Sequence, residues 1–426
     1  MIKAAEEKIV LFGFSVTLLR ALRDCLPDRA VLVVEEPDVA RARGIEALAA
    51  GYPSVARVIQ AEYQDPLELD RLLRREPAIT RAAAVVPGSE YAVVPTAAVA
   101  ERIGVPGAGR AAAPTFRDKF ALRELTSRAG IPNPDYALVD RISDAERFFL
   151  RSGGRACVLK PTARQASAGV QIITELSQIR EGWQASADPA EGHRTPGRGI
   201  ASRLLFEHAL HGPEYSVELL VVGGRIIFEN VTAKRVQPGR FPVELGHTVP
   251  AMITASLRLA LGDVNERLVS ATGFQTGILH SEWIVTDDGP ALVECAARMP
   301  GDEIGVLISE AWDFNLSEAY LRILLGEQPA LPHAAPGAAA IVFLTAQPGE
   351  VVSVDGLERA AGLPGVRDVR IGLTAGAVVA PVTSSWGRVG HVRVRAGTPA
   401  EAHRLADDAA AAVVVTVRPV APEIVR

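Results

Sequence analysis

Apolar and polar residues alternate along two neighbouring segments of the chain, residues 278–286 and 291–298. Alternation with a period of two is typical of a strand that buries one face. The residues between the segments are Asp287-Asp288-Gly289, and such turn residues predict a β-hairpin. If the hairpin folds about its second aspartate, Glu282 lies directly opposite Glu294.

This hairpin would place two carboxylates on one face. Like charges directly opposite each other destabilise a sheet, and a buried carboxylate is costly unless it is paired or bound to a metal. Glu282 and Glu294 therefore predict a cation site, and oxygen ligands on a rigid sheet suit Mg²⁺ carried on phosphates. Arg298 shares the face and can hold a carboxylate or a phosphate. The alternative is an edge hairpin whose acids point into water.

The N-terminal third follows a different pattern, with continuous apolar runs that predict buried strands. Residues 8–14 and 30–35 flank a helical pattern at 16–26, and residues 82–86 form a third apolar run. This β-α-β order predicts a parallel sheet.

The turns of this region carry the candidate chemistry. A dinucleotide-binding turn requires three glycines, but Gly13 is followed by Ser15 and Leu18, which argues against an NAD-dependent oxidoreductase. Glu90 and Tyr91 follow the third strand. Residues at the carboxyl end of a parallel strand contact either a ligand or solvent, and both interpretations stay open here.

A connector rich in Gly, Pro and Ala at residues 104–114 predicts a domain boundary. We expect Thr115 to cap the next helix, on which Lys119 lies. Residues 185–200 are polar and rich in Gly and Pro, which predicts a mobile surface loop.

A phosphate-binding loop is predicted after residues 156–160, an apolar strand that ends on Lys160. The small residues that follow include Ser167 and Gly169. Exposed backbone N–H groups in such a loop can surround phosphate oxygens, and the lysine supplies a point charge.

Residues 203–220 predict a strand, a short link and a second strand. We expect the first strand to stop at Glu207, which would leave free backbone donors and acceptors at His208, Ala209 and Leu210. An edge of this kind can bind an adenine ring. Glu214 begins the second strand and is placed to accept ribose hydroxyls.

Composition narrows the partners and the compartment. The 426 residues are 48% hydrophobic and 22% charged, with a net charge of −5, so no global basic field favours nucleic acid or an anionic membrane. The acidic N-terminus and the lack of a long apolar segment predict a cytoplasmic protein. The three cysteines have no CxxC spacing, which fits a reducing compartment.

Together these motifs resemble the ATP-grasp superfamily, and more narrowly its carboxylate–amine ligases of the L-amino-acid ligase type. The resemblance runs from about residue 8 to the C-terminus and rests on the order of four motifs. These are a helix lysine, a strand lysine before a small-residue loop, an E-x-x-L-x-G-x-E hinge, and paired carboxylates followed by an arginine. Each motif alone is common, whereas this order is specific.

The resemblance implies how the chain binds ATP. It assigns the phosphates to Lys119 and Lys160, with the loop of Ser167 and Gly169 closing over them. It assigns adenine to the backbone of Glu207, His208 and Leu210, and ribose to Glu214.

The resemblance also implies the metal and substrate contacts. Glu282 and Glu294 would carry Mg²⁺, with Mn²⁺ as an alternative. Arg298 would stabilise the transferring phosphoryl group or anchor the acceptor carboxylate. His247 would line the acyl pocket, and Asp302 would contact the amine.

The implied reaction is amide or peptide bond formation through an acyl phosphate, with release of ADP and phosphate. The substrates would be a small carboxylic acid or amino acid and an amine, and the enzyme a homodimer. Ala296 stands where the family usually has asparagine. The alternatives are an ATP-grasp enzyme that activates formate or bicarbonate and a catalytically weak nucleotide-binding partner protein.

The expected fold class is α/β, of the α+β ATP-grasp type. A parallel α/β domain (residues 1–113) would precede two ATP-grasp subdomains with antiparallel sheets (114–202 and 203–330). A small α+β lid-like domain (331–426) would follow.

Overall fold

The computed structural model describes residues 8–189, 191, 195–197, 199 and 202–420. The N-terminal part is a parallel sheet covered by helices. Its elements are β1 (Ile9–Phe12), α1 (Val16–Ala21), β2 (Val31–Glu35), α2 (Pro37–Arg43), α3 (Ile45–Ala49), β3 (Val55–Gln60), α4 (Pro66–Arg75), α5 (Pro77–Thr80), β4 (Ala84–Pro87) and α6 (Val93–Ile103). The strand order is β3-β2-β1-β4. Because β1 and β2 are buried throughout, their sequences are continuous apolar runs. The predicted parallel α/β unit is confirmed.

A smaller antiparallel sheet follows, with strand order β5-β8-β6-β7. Its elements are α7 (Lys119–Arg128), β5 (Tyr136–Val139), α8 (Ile142–Arg151), β6 (Cys157–Pro161), β7 (Gln171–Ile173), α9 (Leu176–Ala187) and β8 (Leu204–His208). The strand β8 pairs with β5 and β6, so it belongs to this sheet although it follows the predicted boundary at residue 203.

The central sheet is built mainly by the third part of the chain. Its elements are β9 (Glu214–Val222), β10 (Arg225–Val236), β11 (Glu244–Val249), α10 (Ala255–Thr272), β12 (Gly277–Thr286), β13 (Gly289–Ala296), α11 (Ile304–Trp312) and α12 (Leu316–Leu324). One face of this sheet packs on α10 and buries an apolar cluster that includes Leu219, Leu279 and Trp283. The opposite face carries the polar side chains described below.

Three strands of the C-terminal part extend the same sheet, and three others form a small sheet of their own. Its elements are β14 (Ala338–Leu344), β15 (Gly349–Asp355), α13 (Leu357–Ala361), β16 (Val366–Ile371), β17 (Val378–Val379), β18 (Gly390–Ala396), α14 (Pro399–Ala411) and β19 (Val414–Arg418). Because β14 pairs with β11, the central sheet has the order β13-β12-β9-β10-β11-β14-β18-β16. The strands β14, β18 and β16 are therefore continuous with the strands of the site, whereas β15, β17 and β19 form a separate sheet of order β17-β15-β19.

Two local predictions are corrected. Thr115 does not cap the helix, because residues Ala113–Phe116 form a separate 3₁₀ turn and the carboxylate of Asp118 accepts the N–H groups of Phe120 and Ala121. The loop expected at residues 185–200 begins later, since α9 continues through Ala187. Residues 190, 192–194, 198 and 200 lie outside the described residues.

None of the helices in the described part of the chain combines the length and the apolar character needed to cross a membrane.

Candidate active site

A cavity of about 1210 Å³ lies where the N-terminal, central and C-terminal parts of the chain meet. This volume exceeds that of a typical small-ligand pocket and leaves room for a nucleotide together with a second molecule. The predicted site residues that line it are Lys119, Lys160, Ser167, Glu207, His208, Leu210, Glu214, His247, Glu282, Glu294, Arg298 and Asp302. Gly169 is not among the described residues that line the cavity. Sequence segments that are far apart therefore converge on one space.

The hairpin β12–β13 has the predicted register at the paired carboxylates. Glu282 pairs with Glu294, and two residues further along each strand His280 pairs with Ala296. The register then shifts, so that Trp283 pairs with Leu292 and Val293 forms a bulge beside the acidic pair. The strand β13 is the edge strand of the sheet, as the alternative expected, but both carboxylates face the cavity instead of the open protein surface.

A buried hydrogen-bond network supports Glu282 from behind. The Glu218 carboxylate is fully buried and accepts hydrogen bonds from Ser216, Asn230 and Thr232 at 2.6 to 2.8 Å. Its Oε1 is 3.0 Å from Nδ1 of His280, whose Nε2 is 3.2 Å from Oε1 of Glu282. The imidazole thus connects a buried carboxylate to one of the predicted metal ligands.

The charge of His280 should make the stability of the protein depend on pH. Burial disfavours the imidazolium, but the hydrogen bonds to Glu218 and Glu282 outweigh it and raise the pKa of His280 from 6.5 to about 9. A raised folded-state pKa means that the stabilisation is complete below pH 6.5 and is lost as the pH rises through about 9.

We expect the free energy of unfolding, measured by urea denaturation, to fall by about 2–3 kcal/mol across this window. His280→Asn should flatten the dependence, while His403→Asn, whose side chain is 53% exposed, should keep it. An unchanged slope in His280→Asn would show that His280 is neutral in the folded protein.

Lys234 is a central residue of the site that the sequence did not reveal. Its side chain is 1% exposed, and its Nζ lies 2.5 Å from Glu214, 3.0 Å from Glu282 and 3.6 Å from Glu244. Burial opposes its charge, but these three carboxylates raise the pKa of Lys234 well above its ordinary value. The lysine is therefore a permanent cation between the predicted ribose and metal ligands.

The two predicted phosphate-binding lysines are also held by carboxylates. Lys119 Nζ lies 3.1 Å from Glu294 and donates at 2.7 Å to the carbonyl of Arg164 in the phosphate loop. Lys160 forms an ion pair with Glu207, which also accepts from Nε of Arg123 at 3.1 Å. Both lysines are over nine-tenths buried, so each has an electrostatic reason to hold an anion.

Arg123 is fully buried and joins α7 to the hinge through Glu207 and to the hairpin through the carbonyl of Val293 at 2.8 Å. We expect Arg123→Met to lower the free energy of unfolding by about 3–5 kcal/mol, because Glu207 loses one of its two cations. Urea denaturation checks this value. Arg128→Met on the same helix is the matched control, since Arg128 is 77% exposed; equal losses in the two variants would contradict the argument.

The backbone edge after β8 is less free than predicted. The strand extends through His208, whose N–H donates to the carbonyl of Asp135, and the N–H of Ala209 donates to the carbonyl of Ala156. Within the described part of the chain, the N–H of Leu210 has no hydrogen-bond acceptor. Of the backbone groups predicted to bind adenine, the N–H of Leu210 and the neighbouring carbonyl groups are therefore the ones available for hydrogen bonds.

The phosphate loop is held in an unusual conformation. Ala166 and Ser167 have φ angles of 57° and 55°, which residues with a side chain adopt rarely. Gly169 has a φ of 73°, and a Cβ at this position would lie 3.1 Å from the carbonyl oxygen of Ala185. Glycine is required there by close packing on α9, rather than by an approach of its backbone to the cavity.

Glu90 and Tyr91 are buried, so the alternative of solvated loop residues is wrong. Glu90 accepts from Nε of Arg298 at 2.6 Å and from Arg117 at 2.6 Å. Burial opposes its charge, but the two arginines lower the pKa of Glu90 to about 2. Tyr91 donates to Glu191 and lies 4.8 Å below the Arg117 guanidinium. Glu90, which belongs to the N-terminal part, therefore holds Arg298, the predicted catalytic arginine, in place.

The predicted substrate residues His247 and Asp302 contact each other and a residue from the C-terminal part. His247 Nε2 is 3.2 Å from Asp302, and Arg388 donates to both oxygens of the same carboxylate at 2.8 and 2.5 Å. These hydrogen bonds outweigh burial and lower the pKa of Asp302. Asp302 is thus an anion that already has partners, and its predicted amine contact stays a prediction.

Sequence reasoning missed several residues that complete the site: Glu90 as a partner of Arg298, Lys234, Glu244, Ser385 and Arg388. For Lys234 a signal existed, because Asn230, Thr232 and Lys234 are polar at alternate positions of one strand. For Arg388 no signal existed, since its partner Asp302 lies 86 positions away in the sequence.

Glu282 and Glu294 suit a divalent cation. They offer carboxylate oxygens from adjacent strands. Their ion-pair partners are the cationic side chains of Lys119, Lys234 and His280, and a bound divalent cation would supply the same positive charge to the two carboxylates. Ala296 lines the same cavity but provides no oxygen ligand. The donor set therefore fits Mg²⁺ with two protein carboxylates.

Comparisons with protein-family models agree with this arrangement. Residues 154–305 match the ATP-grasp domain. The chain therefore contains an ATP-grasp domain. Residues 342–418 match the L-amino acid ligase C-terminal domain 2, so the C-terminal part is also of a known type. The resemblance inferred from the sequence is confirmed at the level of these domains.

Curated proteins similar in sequence match about three-fifths of the chain. The uncharacterized protein y4rH of Sinorhizobium fredii is 27% identical over 276 residues, which cover 65% of this chain and 56% of that protein. The alanine–anticapsin ligase of Bacillus subtilis is 25% identical over 265 residues, 58% of this chain and 55% of that ligase. The matches thus span little more than half the length of these relatives.

The ATP-grasp fold extends over nearly the whole chain. The crystal structure of an L-amino acid ligase from Bacillus licheniformis has a TM-score of 0.78 and covers 97% of this chain and 99% of that chain, at 18% identity. The agreement confirms the predicted ATP-grasp fold class.

Proposed function

We propose that this protein is an ATP- and Mg²⁺-dependent carboxylate–amine ligase that forms an amide or peptide bond between small molecules. The observation that carries the proposal is the pair Glu282 and Glu294, set opposite each other at the wall of the cavity and surrounded by Lys119, Lys234 and Arg298. Phosphoryl transfer needs this kind of arrangement, because positioning and charge neutralisation supply most of its catalysis. The names of the similar ligases support the same class of reaction.

ATP would lie along the smaller sheet. Lys119 and Lys160 would pair with its phosphates when Glu294 binds the metal and Glu207 keeps its ion pair with Arg123. The loop of Ser167 would close over the phosphates. Leu210 would offer its N–H to adenine, and Glu214 would accept hydrogen bonds from the ribose hydroxyls. Bound to Glu282 and Glu294, Mg²⁺ would neutralise charge on the phosphates.

Two steps account for the chemistry. A carboxylate oxygen of the first substrate attacks the γ-phosphorus of ATP, the bond from that phosphorus to the β–γ bridging oxygen breaks, and ADP leaves. The amine nitrogen of the second substrate then attacks the acyl carbon, the bond from that carbon to the phosphate oxygen breaks, and the amine loses a proton. Arg298, which Glu90 holds, would balance negative charge in both steps.

The test is phosphate release from ATP and Mg²⁺ by the pure protein. Amino acids and small carboxylic acids, with formate and bicarbonate among them, are offered singly and in pairs, and products are identified by mass spectrometry. We expect release that depends on a pair of substrates and a product lighter than the pair by one water. Phosphate release with formate or bicarbonate alone would indicate an enzyme that activates a one-carbon acid. If the protein binds ATP but releases no phosphate under any condition, it is a nucleotide-binding protein without this activity.

A further inference from the structure

We propose that a short segment of the C-terminal part, residues 384–388, holds the phosphate loop closed and ties it to the substrate half of the cavity. We call this segment the hook. Ser385 and Arg388 would then be positioning residues for ligation. The proposal rests on the proposed function for its catalytic consequence, but its structural part can be tested without any turnover.

The tip of the hook binds the phosphate loop directly. The backbone N–H of Ser385 donates to the carbonyl oxygen of Ala166 at 3.1 Å. Ala166 and its neighbour Ser167 are the two loop residues with positive φ angles and side chains. Such conformations persist only where the surroundings impose them, and the hook supplies one of the bonds that do so.

The base of the hook is fixed to the substrate side of the cavity. Arg388 donates to Asp302 through two nitrogens, to the carbonyl of Glu244 at 3.2 Å and to the carbonyl of Ser385 at 2.9 Å. Its guanidinium also lies 3.7 Å from the ring centre of Phe343. With these contacts on several sides, the hook has little freedom to move independently of the central sheet.

A third contact connects the hook to the carboxylates around Lys234. Ser385 Oγ donates at 2.8 Å to Oε2 of Glu244, and the other oxygen of that carboxylate lies 3.6 Å from Lys234 Nζ. Lys234 in turn contacts Glu282. The hook therefore touches the phosphate loop, the wall that holds Asp302, and the charge cluster beside the predicted metal ligands.

This arrangement has a consequence for the acyl phosphate. If water attacks its acyl carbon in place of the amine, the bond to the phosphate oxygen breaks and the original carboxylate returns, so ATP is consumed without product. A phosphate loop held by the hook limits the entry of water. The ratio of amide product to phosphate released therefore reports whether the hook is closed.

Two substitutions at position 385, to proline and to alanine, distinguish the backbone hydrogen bond to Ala166 from the side-chain hydrogen bond to Glu244. Ser385 is the first residue of a 3₁₀ turn, and Ser384 before it is extended with φ −155° and ψ 171°, a conformation that a following proline favours. Ser385→Pro removes both the N–H to Ala166 and the hydroxyl, whereas Ser385→Ala removes the hydroxyl alone. Thr383→Ala is the matched control, because Thr383 also carries a hydroxyl but is exposed and lies outside the hook.

The first measurement is hydrogen exchange of residues 163–170, with and without a non-hydrolysable ATP analogue. We expect exchange about fivefold faster in Ser385→Pro than in Ser385→Ala or Thr383→Ala, as the loss of one backbone hydrogen bond would produce. The second is the product-to-phosphate ratio, which should fall by about half or more in Ser385→Pro.

Arg388→Lys provides a second route to the same result. Lysine keeps a positive charge for Asp302 but loses the bidentate geometry and the hydrogen bonds to the carbonyls of Glu244 and Ser385. It should therefore show the same direction of change, and it tests the proposal if Ser385→Pro does not fold. If folded variants show the hydrogen-exchange rates and the product-to-phosphate ratio of the wild type, the proposal that the hook holds the phosphate loop is wrong. If wild-type protein forms no amide from any pair, the ligase proposal fails, while the exchange measurement still decides whether the hook holds the loop.

Discussion

Glu294→Gln should slow ATP-dependent product formation by about 10²- to 10³-fold without unfolding the protein. Glutamine preserves the size of the side chain but removes one of two charges that face each other across the hairpin. Ala296, next on the same face, has no oxygen with which to compensate. The substitution removes the ion pair with Lys119 but relieves repulsion with Glu282, and Glu294 is 29% exposed, so we expect these opposing effects to leave a small change in stability.

Steady-state kinetics over a series of Mg²⁺ concentrations, together with calorimetry of an ATP analogue with and without Mg²⁺, checks this prediction. We expect Mg²⁺-dependent binding to weaken by about 10- to 100-fold, and binding without metal to change little. Asp288→Asn is the matched control, since this carboxylate lies on the exposed turn of the same hairpin. Full activity in Glu294→Gln would remove the hairpin from the catalytic site.

Glu90→Gln should lower the free energy of unfolding by about 3–5 kcal/mol and also lower kcat by about 10- to 100-fold. Glu90 is 2% exposed and neutralises both Arg298 and Arg117, so the amide leaves two guanidinium groups without a counter-charge. The loss of kcat follows because an amide has one acceptor oxygen where the carboxylate has two, so it cannot accept from both Arg117 and Arg298, and Arg298 is held less firmly. Glu101→Gln is the control, because Glu101 is 59% exposed on the neighbouring helix.

The pH dependence separates these two effects. A folded-state pKa of about 2, below the ordinary 4.5, means that the stabilisation by Glu90 is present above pH 4.5 and is lost as the pH falls through about 2. Unfolding measured from pH 5 downward should therefore be steeper in the wild type than in Glu90→Gln. Equal slopes would show that Glu90 does not carry the charge we assign to it.

A double-mutant cycle tests whether Glu90 acts through Arg298. Arg298→Gln in the Glu90→Gln background should restore part of the lost stability, since it removes an uncompensated buried cation, yet kcat should fall no further than in Arg298→Gln alone. Additive losses of kcat would show that the two residues act independently. Arg225→Gln, at the exposed start of β10, controls for the loss of an arginine.

The local parts of the fold followed from periodicity. The hairpin register was predictable because the period of two and the turn at Asp287-Asp288 together determine which side chains face each other. The strand β6, which carries Lys160, was predictable for a similar reason. Its apolar run ends where the cluster of small residues of the phosphate loop begins, so the sequence itself shows the end of the strand. Each of these features depends only on neighbours in the sequence.

Local signals failed where two solutions competed. Thr115 and Asp118 both fit a helix cap, and the choice of Asp118 depends on the separate turn formed by residues Ala113–Phe116. The end of β8 was placed one residue early, because the acceptors that hold His208 and Ala209 belong to Asp135 and Ala156. Those acceptors come into reach only when the smaller sheet is assembled.

The sequence by itself determined the ATP-grasp order of motifs, the parallel N-terminal sheet and the carboxylate pair Glu282 and Glu294, because each is encoded in short-range pattern. Only the tertiary structure decided which charges meet. Lys234 reaches Glu282 through the order of strands in the central sheet, Glu90 reaches Arg298 from another part of the chain, and Arg388 reaches Asp302 because β14 extends that sheet. These contacts depend on strand pairing between distant segments, and no local pattern in the sequence specifies that pairing.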